Sequence, residues 1–445
     1  MIVPGNRLLW ALALIGLPAV LIVSLLPGAA EVAWWVIALL GLVAVGDAFT
    51  TFNAFEGLEP VPDELNRLAK DRDSVVPIRL KNATKRAWQL RLGVAWPEAF
   101  ESEEESVLVQ LPEGAPVGRF DLHCLPRERG SFTLQNLYLE RSSRLGFWAA
   151  RTRLPLRMEL RVFPDLRRDQ AAAAIFLNRG LVGLHAQRQV GKGREFEKLR
   201  DYVPGDGYED IHWKSTAKRG RPITKTYQIE RTQEVYCLVD SSRLSARRAG
   251  EAGNDPNAPT MLERYVVAAM LFGAAAERQG DLFGLITFDD HVRHYIPAKN
   301  GKAHHDACRD AIYGLRPREV SPDFDELFTF LRTIVRKRAL LIFLTSLDDD
   351  LIAETFVRNL PIIRRTHLTY TMMIDPEDVG PLFSRPVDSV GAMYAALAGH
   401  ERWEHLRGVE RALAVQGVRM TFTQSEQLVV ALLNQYMEVK RRQLL

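Results

Sequence analysis

Three patterns of apolar and polar positions succeed one another along the chain. The first is continuous. Leu8 to Leu26 is interrupted only by Gly16, Pro18 and Ser24, and Val32 to Phe49 carries one charge, Asp47, near its end. Each run has about the 20 residues that a bilayer core asks of a helix, and Pro27-Gly28-Ala29-Ala30-Glu31 makes a turn between them. A cleaved leader ending near Ala29-Ala30 is the rival reading of the first run. The second run follows at once, which favours a two-helix hairpin over residues 8–26 and 32–49. Arg7 is the only basic residue before Arg67, so the positive-inside rule places both ends in the cytoplasm. The second pattern, Asp63 to Pro164, is one of short alternating segments: Val75–Leu80, Gln89–Val94, Val107–Leu111, Phe120–Leu125, Ser131–Glu140 and Leu156–Phe163. Such spacing predicts an antiparallel sandwich. The third pattern begins at Val235 and alternates strand and helix. Strands are expected at 235–239, 282–288, 339–344, 368–374 and 418–422. Helices are expected at 260–279, 303–315, 323–336, 351–365, 392–416 and 425–442. That order predicts right-handed crossovers and a mostly parallel, doubly wound sheet. Ala171 to Val190 reads as a helix and connector.

Between the second and third patterns lies a polar stretch, Gln187 to Asp240, that mixes aromatics with charges and carries the turn Pro204-Gly205-Asp206-Gly207. It reads as a folded polar module rather than a linker. Gly193-Arg194-Glu195-Phe196, Leu199-Arg200-Asp201-Tyr202, Pro204-Gly205-Asp206 and Ile211-His212-Trp213-Lys214-Ser215-Thr216-Ala217 resemble the signature of a bacterial family, domain-of-unknown-function family fifty-eight. Its members are membrane-tethered von Willebrand factor A-like proteins, often encoded beside MoxR-type AAA+ ATPases. The resemblance implies an architecture and a partner, since the family has no established activity. Arg127-Glu128-Arg129-Gly130-Ser131-Phe132 and Arg144-Leu145-Gly146-Phe147 resemble the family's sandwich.

Composition narrows this picture little. The apolar share of 47% and charged share of 25% are ordinary, and a net charge of +3 over 445 residues argues neither for nucleic acid nor for anionic lipid. Cys124, Cys237 and Cys308 are odd in number and widely spaced, so no disulfide framework or zinc site follows.

Ligands of doubly wound sheets sit outside the carboxyl ends of the strands. Polar residues stand there at Asp240-Ser241-Ser242, Asp289-Asp290 and Thr345-Ser346. By resemblance, a von Willebrand A domain holds an adhesion-type metal at this place with an Asp-x-Ser-x-Ser loop, a threonine and a later aspartate. Hard oxygens of this kind suit magnesium. Here Asp240 and Ser242 match, Leu244 replaces the second serine, Ser321-Pro322-Asp323 lacks the threonine, and Ser346 stands where the aspartate belongs, with Asp348 displaced by two. Ser245 or Asp348 would need a register change to help. Asp240 and Ser242 read more simply as loop caps bonding nearby backbone. Magnesium is therefore expected to bind no tighter than about millimolar, leaving partner contacts to side chains such as Arg243 and Asp289.

His212 with Asp206 and Asp210 is open to an acid/base or metal reading, but a structural hydrogen-bonding role is the simpler one. The bases Lys214, Lys218, Arg219, Arg221 and Lys225 are expected to pair with the segment's own carboxylates rather than with nucleic acid. Trp213 is expected to pack between the sheet and the Gly205-Asp206-Gly207 turn, so that its truncation costs about 3 kcal/mol or more. Lys440-Arg441-Arg442 closes a helix, where cations suit the dipole.

The whole reads as a multi-domain chain: a transmembrane hairpin within 1–55, an immunoglobulin-like antiparallel β-sandwich over 60–165, a connector and signature over 166–232, and a doubly wound, von Willebrand factor A-like α/β domain over 233–445. The expected role is that of a non-enzymatic adaptor in the bacterial inner membrane, with its soluble domains cytoplasmic. By resemblance it works with a MoxR-type AAA+ ATPase in assembling or maturing other proteins through Arg194, Glu195, Phe196, Arg200, Tyr202, Gly205, Asp206, Asp210, His212, Trp213 and Lys214. The client is not written in the sequence. The alternative is a divalent-metal hydrolase built on Asp206, Asp210, His212 and Asp240.

Overall fold

The continuous apolar runs become two helices in the computed structural model, α1 (Asn6–Leu25) and α2 (Ala30–Phe49), each long and apolar enough to cross a membrane. The model describes all residues except 26–29, 62–64, 105, 168, 172–173, 175–189, 229–232, 250–257, 377–378, 383, 385–388, 443 and 445. Leu9, Trp10, Leu14, Leu17, Leu21, Trp34, Trp35, Leu39 and Leu42 leave both helices bare and apolar on their outer faces, the pattern of a helix surrounded by lipid. Leu12–Gly16 opens into a π turn just ahead of Pro18, whose ring and missing N–H disturb the ladder.

Two compact units make up the chain, Met1–Asp165 and Leu166–Leu445. In the first, a short strand β1 (Ile2–Pro4) precedes α1. After α2 come β2 (Leu58–Val61), β3 (Asn66–Ala69), β4 (Ser74–Asn82), β5 (Trp88–Val94), β6 (Phe100–Glu101), β7 (Val107–Leu111), β8 (Val117–Pro126), β9 (Gly130–Ser142) and β10 (Trp148–Phe163). One sheet runs β1-β10-β9-β5-β7 with β3 also on β10, and the other runs β2-β4-β8-β6. Alternate residues such as Val76, Ile78, Leu80, Leu90, Leu92, Leu137, Leu139 and Leu160 fill the core, as the period of two requires. The expected strand at 156–163 is one end of a longer one. β10 runs from 148 and shifts register between Pro155 and Met158, where Arg157 takes φ 48°. That bulge divides the pattern in two when read as sequence.

The hairpin is tied to the sandwich within this unit. β1 pairs antiparallel with β10, Ile2 opposite Ala150. Asp47, buried near the end of α2, accepts from Ser143 Oγ at 2.5 Å, Leu145 N–H at 3.0 Å and Phe147 N–H at 3.2 Å. Trp148 Nε1–H donates to the Ala44 carbonyl at 2.8 Å. The single charge of the second apolar run thus has a structural task.

In the second unit, β11 (Val190–Asp201) and β12 (Ile223–Gln228) pair only with each other, and the helix α3 (Trp213–Arg219) lies between them in sequence. There follow β13 (Glu234–Asp240), α4 (Met261–Arg278), β14 (Leu282–Phe288), β15 (Val292–Lys299), α5 (Lys302–Tyr313), α6 (Phe324–Ile334), β16 (Ala339–Leu344), α7 (Asp350–Asn359), α8 (Pro361–Arg364), β17 (Leu368–Ile374), α9 (Val390–Val415), β18 (Arg419–Thr423) and α10 (Leu428–Arg442). The six-stranded sheet is ordered β15-β14-β13-β16-β17-β18. This is the 3-2-1-4-5-6 order of doubly wound folds, parallel except for the antiparallel edge strand β15. One face is covered by α4, α5 and α10, the other by α6, α7, α8 and α9. The sequence reading has no β15. Its half-exposed residues and Pro297 are those an edge strand tolerates, but they show no apolar run. Pro361 splits the helix expected at 351–365 into α7 and α8. The helix and connector expected at 171–190 lie almost wholly outside the described residues.

Candidate functional site

The carboxyl ends of β13, β14 and β16 bring Asp240, Asp289 and Asp348 to one edge of the sheet. Each is already satisfied by its own chain. Asp240 is fully buried. Thr345 Oγ1–H donates to its Oδ2 at 2.6 Å, and Ser242 N–H donates to its Oδ1 at 2.8 Å. Burial pushes its carboxyl above the usual range despite these bonds, because a charge costs more away from water than two neutral donors return. Ser242 caps the 3-10 turn that follows and receives Leu244 N–H at 3.4 Å, while Ser245 Oγ–H donates back to the Ser242 carbonyl at 2.8 Å.

Arginines hold the other two carboxylates. Asp289 is buried, with Arg293 Nε donating to both its oxygens at 2.7 Å and Arg318 Nη1 at 3.3 Å. Burial, and then the neighbouring Asp290, push Asp289 upward, and its bond from Asp289 holds Asp290 down. The side chain of Asp348 is 1% exposed. It takes Arg247, Arg402 Nη2 at 2.8 Å and Ser346 Oγ–H at 2.7 Å. Burial opposes ionisation there, but Ser346 and the two guanidinium groups outweigh it, and Asp348 is held below the usual carboxylate range. Arg243 donates to Ser321 Oγ at 3.0 Å and Asp349 at 3.1 Å. Asp323 caps α6 by accepting from Glu326 N–H at 3.0 Å.

These residues do not fit a divalent ion. Magnesium needs several oxygen ligands in near-octahedral array, and here guanidinium groups already bond Asp289 and Asp348 and supply the positive charge that an ion would bring. Among the described residues, the metal-capable group of His, Cys, Asp and Glu is Asp289-Asp290-His291, and Arg293 and Arg318 already take its aspartates. Asp289 also cannot meet a partner, contrary to expectation, because nothing of it reaches the surface. Sequence reasoning named Thr345 only as a polar strand end and missed Arg247, Arg293, Arg318 and Arg402. Arg402 lies on α9, and no local spacing announces that it returns to Asp348.

The signature module is built differently. Arg194, Glu195 and Phe196 lie on β11, with Phe196 opposite Tyr227 in the ladder. Arg200 Nη2 donates to Asp206 Oδ1 at 2.6 Å, and Val203 N–H donates to Oδ2 at 3.1 Å. The Val203 bond and the Arg200 charge hold the Asp206 carboxyl below its usual range. Together they close the turn in which Gly205 takes φ 111°, a conformation that side chains disfavour. His212 caps α3: its Nδ1 lies 3.2 Å from Ser215 N, which donates to it, and 2.7 Å from Ser215 Oγ. Among the described residues, Asp206, Asp210, His212 and Asp240 do not supply a group of three or more mutually close metal-ligand atoms.

Two expectations about this module are corrected. Trp213 is not packed inside; it is 67% exposed as the first residue of α3. Of the basic cluster, Arg221 does pair with Asp201, at 3.2 Å. Lys214, Lys218 and Arg219 are exposed and have no acidic partner among the described residues. On the sandwich, a groove of about 630 Å³ is lined by Trp96, Phe100, Tyr138, Arg91, Glu140 and Arg151. Its charges pair internally through Glu140.

Comparison with known proteins agrees with the signature. The SpRpn10 VWA domain is 12% identical, covering 46% of this chain and 95% of that one, with a TM-score of 0.27. PapD-like domain 7 of human CEP192 is 14% identical over 24% of this chain and 87% of that one, with a TM-score of 0.17. Proximal thread matrix protein 1 from the mussel byssus is 12% identical over 47% of this chain and 46% of that one, with a TM-score of 0.25. No curated relative matches. Residues 198–380, which take in Arg200 to Lys214 and the strand ends carrying Asp240, Asp289 and Asp348, match the family model described as Protein of unknown function DUF58.

Proposed function

We propose that the chain is a membrane-anchored, non-enzymatic adaptor whose soluble parts recruit a partner without a metal ion. The observation that carries this reading is the strand-end site. Asp240, Asp289 and Asp348, the carboxylates placed where a doubly wound sheet binds its ligands, are each consumed by Thr345, Arg293, Arg318, Arg247 or Arg402. Groups engaged in this way by their own chain are not turned toward a ligand, which supports recognition at the surface. α1 and α2 support an anchor in the membrane, and the pairing of β1 with β10 supports a hairpin with both ends on the sandwich side. Arg7 favours the cytoplasmic side for both ends. By the family resemblance the partner is a MoxR-type AAA+ ATPase, and the adaptor would present client complexes to it for assembly or maturation. The test is affinity isolation of the tagged full chain from membranes. Co-isolation of the ATPase, undiminished by a chelator, is the expected result. Recovery without the ATPase, or loss of it on chelation, would contradict the reading.

A further inference from the structure

Half of the signature module holds itself rigid, and the other half faces outward with no internal task. Arg200, Asp206 and Val203 N–H lock the first turn. His212 starts α3, and Gly220 in the left-handed region ends it. Ile223 N–H donates to Thr216 Oγ1 at 3.0 Å, His212 N–H donates to the Ile223 carbonyl at 2.8 Å, and Ile211 and Ile223 are buried beneath. On this frame stand Val203, Tyr208 and Trp213, which are 53%, 78% and 67% exposed. The Tyr202 ring stacks on that of Tyr208 at 6.4 Å. Lys214 and Lys218, one helical turn apart on α3, and Arg219 add positive charge that no described carboxylate neutralises.

Large aromatics held mostly in water contribute little to the fold that carries them, whereas Trp and Tyr on an ordered frame are the usual anchors of protein interfaces. A rigid frame also lowers the ordering cost of association. Cations beside the anchors select an acidic counterpart and speed encounter. Aromatics with lysines also suit single-stranded nucleic acid, but Asp201, Asp206, Glu209 and Asp210 run through the same segment and would repel a polyanion tracking along it.

We propose that the exposed side chains of this module, Val203, Tyr208, Trp213, Lys214 and Lys218, make the docking surface for a protein partner, which meets it with acidic side chains around an apolar cleft that accepts Trp213. The proposal rests on the adaptor reading above and assigns the contact to the signature module rather than to the strand-end site.

The experiment uses the full chain in nanodiscs, with the MoxR-type ATPase as the binding probe. The Tyr208→Ala/Trp213→Ala and Lys214→Glu/Lys218→Glu double variants are each expected to weaken binding at least tenfold with an unchanged unfolding midpoint. The loss in the charge-reversal variant should shrink as salt rises. Binding by the wild type that both variants retain overturns this docking face and leaves the adaptor reading standing. A wild-type chain that does not bind the ATPase overturns both. A single-stranded oligonucleotide that binds the wild type as tightly as the ATPase, and loses binding in the same variants, overturns the assignment to a protein.

Discussion

Replacing both Arg247 and Arg402 with methionine strips Asp348 of its counter-charges while leaving it buried, with Ser346 as its remaining bond. Breaking a buried pair from one side typically costs about 3–5 kcal/mol, so denaturant unfolding of the double variant should lose stability on that scale. Either single variant, keeping one guanidinium, should lose much less. Asp240 behaves in the opposite sense. Burial raises its folded-state pKa, so its contribution to stability is complete below the unfolded carboxylate range and is lost as pH rises through the folded value. The held-down carboxyl of Asp348 contributes above the unfolded range and loses its contribution as pH falls. Unfolding of the wild type and the Asp240→Asn variant at acidic and neutral pH should therefore show the gap moving toward the variant as pH rises. A gap independent of pH would mean that Asp240 is not desolvated. At this scale the sequence was legible where a residue acts on its neighbours. Ser242 as a cap and His212 as a hydrogen-bonding residue follow from local chemistry. Lys440 does not. Besides closing α10, it reaches the buried Asp281 at 2.9 Å, where Tyr436 also donates, and a pairing across 159 residues leaves no local mark.

Strands were legible in proportion to their burial. The buried parallel strands, Glu234–Asp240, Leu282–Phe288, Ala339–Leu344 and Leu368–Ile374, are short apolar runs that only a covered sheet explains. β15 and β1 were not legible, since half-exposed edge strands carry no such run. Trp213 was misplaced for a related reason. Its apolar bulk argues for burial, but the α3 turn set by His212 decides which way it points. The end of α2 gives a test at this scale. Asp47 receives three donors from residues 143–147, and bonds to a charged acceptor are each worth about 1.5–3 kcal/mol. The Asp47→Ala variant should lower the unfolding midpoint of the detergent-solubilised chain and expose the loop at Leu145 to protease. Unchanged cleavage would show that the Asp47 bonds do not hold the 143–147 loop in place.

For the whole molecule, β1 on β10 and Asp47 on the 143–147 loop place the start of α1 and the end of α2 beside the same sandwich. With the cytoplasmic orientation proposed from Arg7, a periplasmic reporter fused after Leu445 should be inactive, and an active one would contradict that proposal. The larger claim is that the carboxylates of this sheet edge are engaged by the protein's own donors, neutral at Asp240 and cationic at Asp289 and Asp348, and that recognition happens without a metal. Calorimetric titration of magnesium into the full chain in nanodiscs, with the Asp240→Asn variant as reference, tests it most directly. The account predicts no binding tighter than about millimolar, a net free energy of about 4 kcal/mol, and no difference between the two proteins. A micromolar site that the Asp240→Asn change abolishes would contradict it.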